Sequence, residues 1–126
     1  MNLPFSLDNV RCRPLMVLPV ESFDCICSYL LGIDSACNGD FLKGFNEWLA
    51  PTVGYGDNLA WTALILHLTF PNSQMPRRLL NDSSHEKSAI ACLFRHLEEF
   101  LEFKTLHGIS QIMFRHQMWL ENHNHG

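Results

Sequence analysis

Three carboxylates on one short stretch, Glu98, Glu99 and Glu102, are the sharpest polar feature of the chain. On a helix Glu98 and Glu102 stand four residues apart, a like-charge pair that costs about 0.2–0.5 kcal/mol. A basic partner relieves that cost, and so does a solvated face on which Arg95 pairs with Glu99. Tyr55, flanked by Gly54 and Gly56 and followed by Asp57, is the second candidate. An aromatic on a glycine turn suits a binding anchor or a ring folded back onto the core. The residues expected to meet a partner are therefore Glu98, Glu99, Glu102, Asp57 and Tyr55.

Seven histidines and five cysteines raise the question of a metal or a nucleophile. Cys25 and Cys27, two apart on a helix, point in different directions and cannot easily share an ion. No Cys-x-x-Cys, His-Glu-x-x-His, Gly-x-Ser-x-Gly, Walker or dinucleotide pattern is present. No catalytic residue, metal or cofactor is expected. Cys25, Cys27 and Cys92 read as small core hydrophobes, and His67, inside the most apolar run, as a core histidine.

Thr52 to Asp57 spells Thr-Val-Gly-Tyr-Gly-Asp, letter for letter the selectivity filter of potassium channels. A filter needs two flanking spans of about 20 apolar residues. The longest apolar run here, Leu59 to Phe70, already holds His67 and stops at Pro71. The string is expected to be a glycine turn between two helices, and no membrane span is expected.

The 126 residues suffice for one domain, 1–126, with a buried core. Thirteen acidic against nine basic residues give a formal net charge of -4, which disfavours direct nucleic-acid binding and suits a basic protein partner. Arg77 and Arg78 fall short of a basic stripe and read as surface residues of a loop. The cysteine spacing and the lack of a basic-then-apolar N-terminus lead us to expect reduced thiols and a cytoplasmic location.

Pro4, Pro14 and Pro19 predict an extended arm over residues 1–19. Helical spacing then predicts a helix from Glu21 to Gly32, a second from an Asp40 cap to Pro51, and a third, Leu59 to Phe70, that is apolar all round and hence central. A buried strand is the rival reading for 59–70. Residues 71–81 are expected to be a loop. A capping box of Ser83 and Glu86 predicts a long helix to about Lys104, with a stripe of Ile90, Leu93, Phe94, Leu97, Phe100 and Leu101. Gly108 divides it from a last helix carrying Ile109, Ile112, Met113, His116, Trp119 and Leu120, and residues 122–126 are expected to fray. The expected fold is an all-α bundle of about five helices.

The block Gly44-Phe45-Asn46-Glu47-Trp48-Leu49, followed by Asn58-Leu59-Ala60-Trp61, resembles segments of small bacterial immunity proteins of contact-dependent growth inhibition and related polymorphic toxin systems. That resemblance implies a non-enzymatic inhibitor that binds the C-terminal domain of one cognate toxin, often a nuclease, and occludes its active site. It carries no binding residue with it. Two rivals stand beside it: a helical adaptor or regulatory homodimer exposing an apolar stripe, and a small hydrolase or metal enzyme built around His67, His96 or His116.

Overall fold

The apolar stripes close on one another as helices. The structure, a computed structural model, describes residues 22–55 and 59–124; the expected arm over 1–19 and the candidate Asp57 lie outside the described residues. The fold is all-α: α1 Phe23–Ala36, α2 Phe45–Val53, α3 Trp61–Thr69, a 3-10 helix Pro76–Asn81, α4 Ser83–His107 and α5 Ile109–Asn124. Among the described residues no helix is long and apolar enough to cross a membrane.

The run 59–70 is helical rather than a strand, and no residue of Trp61–Thr69 is solvent-exposed. It packs on α2 and α4, while α2 also packs on α5 and α1 lies on α4. Phe23, Phe45, Leu64, Leu97, Phe100 and Ile112 are fully buried where these helices meet. Burying such a side chain contributes about 1.5–3 kcal/mol, so the shared core dominates the stability.

Helix ends depart from expectation wherever a distant group satisfies them. α2 begins at Phe45, not after Asp40, because Gly44 sits at φ 95 and breaks the helical path. The preceding turn is held from outside: Asp34 Oδ1 accepts the Leu42 N–H at 2.7 Å, and Lys104 Nζ donates to the carbonyls of Asp40 and Lys43. Pro51 does not stop α2, which runs on to Val53. A proline there lacks only the N–H that would have reached the carbonyl four residues back, and the helix ends within a turn.

The capping box also resolves differently. Asp82 is the cap of α4, accepting the Ser84 N–H at 2.9 Å. Glu86 Oε2 instead accepts the Phe23 N–H at 3.0 Å, closing the first turn of α1 from 63 residues away. The expected loop contains the 3-10 helix, with Pro76 at its first position, where a missing N–H costs nothing. Arg77 ties this helix to α1 through Asp24, at 2.9 and 3.1 Å. At the far end, α5 continues to Asn124, past the Asn122 at which fraying was expected.

Candidate functional site

α4 carries the acidic candidates. Phe100 faces the core, so Glu99 and Glu102 are turned to solvent, and Glu98 is half-buried beside them. Leu106, 69 % exposed, follows Glu99 and Glu102 on that outer face at the i+7 and i+4 positions. The face is thus acidic with an apolar residue at its C-terminal end.

Behind it lies His96, the described buried polar side chain, at 7 % exposure. Arg95 Nη2 is 3.2 Å from His96 Nε2. A guanidinium has no acceptor, so Nε2 must accept and the ring must be neutral. Burial, then the Arg95 charge, holds His96 below its ordinary value of 6.5, with Glu99 acting in the opposite sense. Below that value the unfolded chain takes up a proton that the fold resists, so stability is lost as pH falls from about 6.5 toward the depressed folded pKa; above 6.5 both states are neutral and the group contributes no slope. Urea melts between pH 7.5 and 5 should show up to about 1.4 kcal/mol lost per pH unit from this source, and His96→Leu should flatten that portion of the profile.

Tyr55 follows the end of α2. It is 48 % exposed, its hydroxyl lies 3.2 Å from His67 Nδ1, and the two rings meet edge-on at 5.5 Å. His67 is half-buried in the last turn of α3, paired to a loop aromatic and not enclosed in the core as expected. Of the five candidates, Glu98, Glu99 and Glu102 share α4, Tyr55 rests against His67 of α3, and Asp57 lies outside the described residues.

Next to His67 is a cavity of about 340 Å³, lined by Ala63, Leu66, His67, Gln74, Met75, Pro76, Arg77 and Arg78. Arg77 and Arg78 are exposed, as expected of surface residues, but stand on the 3-10 helix instead of a loop. Pro76, which marks a helix start, was the available signal that this segment is ordered; nothing local announces that it folds over α3.

The histidines weighed for metal or hydrolytic chemistry are separately engaged: His67 with Tyr55, His96 with Arg95, and His116 with its ring 5.8 Å from that of Trp119. No group of three or more His, Cys, Asp or Glu side chains among the described residues is placed to hold a metal ion. Cys27 is buried at 5 % exposure, and burial, with Asp24 beside it, pushes its thiol up to about 12. Such a thiol is not a nucleophile near neutral pH. Cys25 and Cys92 are half-buried, Cys92 against the core with its thiol raised by burial, and Cys37 is exposed at the end of α1.

Three of the residues that carry the resemblance pack in the core: Phe45 and Leu49 are fully buried and Trp61 is 7 % exposed, while Asn46 and Ala60 face solvent. Comparisons with protein-family models, curated proteins and solved structures find no match to the chain.

Proposed function

We propose that this protein is a non-enzymatic immunity protein that binds the basic C-terminal domain of a cognate toxin, a nuclease, and neutralises it by occluding its active site. The observation that carries the reading is the outer face of α4, where Glu99 and Glu102 stand in solvent with Leu106 in line. Acidic residues around an apolar contact fit a domain that ordinarily binds phosphates, because such a domain presents Lys and Arg around its active site. The formal charge of -4 gives the same sign to the long-range attraction.

The test is co-purification with the C-terminal domain encoded by the neighbouring upstream gene, read as stoichiometry by light scattering and as affinity by calorimetry. A one-to-one complex is expected. Glu99→Lys combined with Glu102→Lys should weaken it at least tenfold, about 1.4 kcal/mol, and steepen the loss at low salt, with the melting temperature unchanged. Unchanged affinity, or loss of the fold in the double variant, counts against this assignment.

One observation favours the adaptor reading: α5 exposes Phe114 (61 %) and Met118 (41 %) four residues apart on its outer face. Light scattering on the protein alone separates the two, since a stable homodimer that Phe114→Glu splits would favour the adaptor.

A further inference from the structure

We propose that the cleft between α3 and the 3-10 helix is a binding site for a small amphipathic carboxylate, its apolar body held by Ala63, Leu66, Met75 and Pro76 and its charge by Arg78 and His67. The volume, about 340 Å³, lies at the low end of the roughly 300–1,000 Å³ typical of small-molecule sites. Such sites combine apolar walls with a few polar groups that fix orientation, and that is the division here.

The polar groups are of one kind. Arg77 is already committed to Asp24 and serves to fix the 3-10 helix against α1. The Arg78 backbone N–H donates to the Met75 carbonyl, but its side chain makes no hydrogen bond or ion pair among the described residues, so its forked donors are free at the cleft. His67 Nδ1 is engaged with the Tyr55 hydroxyl, and in the tautomer in which the phenol donates, the ring proton resides on Nε2 and supplies a further donor. Gln74 supplies an amide. Among the described residues no carboxylate lines the cleft. A donor-rich rim over apolar walls selects an anion with a hydrocarbon body, and a guanidinium binds a planar carboxylate through two parallel bonds. A fully hydrophilic anion such as inorganic phosphate would leave the walls unsatisfied, and a cation would meet Arg78.

Calorimetric titration with octanoate, octanol and octylammonium tests this. Octanoate should bind one-to-one, at least tenfold more tightly than octanol, and octylammonium should give no saturable binding. Arg78→Glu should weaken octanoate at least tenfold, and Ala63→Phe, which fills the cleft from α3, should abolish it. Arg78 is exposed and unpaired, so its variant is expected to melt as the parent does. Equal affinity for octanoate and octanol, or octanoate binding that survives Arg78→Glu, overturns the proposal, as does the absence of binding. None of these residues belongs to the outer face of α4, so the outcome is independent of the proposed toxin interface.

Discussion

Replacing Phe45 by alanine should destabilise the protein by about 3–5 kcal/mol, the cost of emptying a large aromatic site in a packed core. Phe45 is fully buried, with its ring centroid 5.0 Å from that of Phe100 and 5.6 Å from that of Trp61. It therefore stands where α2, α3 and α4 meet, and neither neighbour can collapse inward without drawing a helix with it. Small domains are stable by about 5–15 kcal/mol, so about a fifth of the total or more is at stake. Urea unfolding followed by tryptophan fluorescence measures the loss, and Trp61 in contact with the site makes the signal local. Phe114→Ala is the matched control. At 61 % exposure the same truncation should change stability by no more than about 0.5 kcal/mol. A loss below about 1 kcal/mol for Phe45→Ala would mean that the three helices do not share this core.

The control also separates two ways of losing partner binding. Phe45→Ala acts through the fold, whereas reversal of Glu99 and Glu102 leaves the fold intact and alters only the surface. In the proposed reading, Phe45 and Trp48 hold α2 in place and the outer face of α4 makes the partner contact.

Periodicity was legible where burial is continuous. The stripe predicted for α4 is buried at Leu93, Phe94, Leu97, Phe100 and Leu101, with Ile90 half-buried, because over a 25-residue helix the 3.6-residue repeat leaves little ambiguity. Short helices carry less of it. Leu31 stands eight residues after the buried Phe23, on the same helical repeat, yet is 48 % exposed. Helix boundaries were hidden for a different reason. Glu86 has the spacing of a local cap and spends its carboxylate on Phe23; the turn after Asp40 is closed by Lys104. Such bonds span some sixty positions, and no local pattern encodes them. The candidate site divides in the same way: the exposure of Glu99 and Glu102 follows from their helix phase, while the union of Tyr55 with His67 and the fold of Arg78 over α3 depend on tertiary packing.

Gly44→Ala should cost about 2–4 kcal/mol, and its origin can be divided into two parts. Gly44 adopts φ 95, where a side chain is strained by about 1–2 kcal/mol. A Cβ there would also lie 2.5 Å from Ile109 Cδ1, and within 3.5 and 3.6 Å of Ile112 Cγ2 and Phe100 Cε1. The start of α2 thus passes so close to α5 that no side chain fits without displacing Ile109. Ile109→Val removes the offending Cδ1 and alone should cost about 0.5–1.5 kcal/mol. In the double variant the steric part of the Gly44 penalty should disappear while the backbone part remains, giving a total smaller than the sum of the single effects by about 1 kcal/mol. Strict additivity in urea melts would show that Ile109 swings aside freely and that backbone strain is the whole penalty. Non-additivity would establish that close approach of α2 to α5, and with it the seat of Trp48 against the Arg115 guanidinium at 4.5 Å, is set by the missing side chain at position 44.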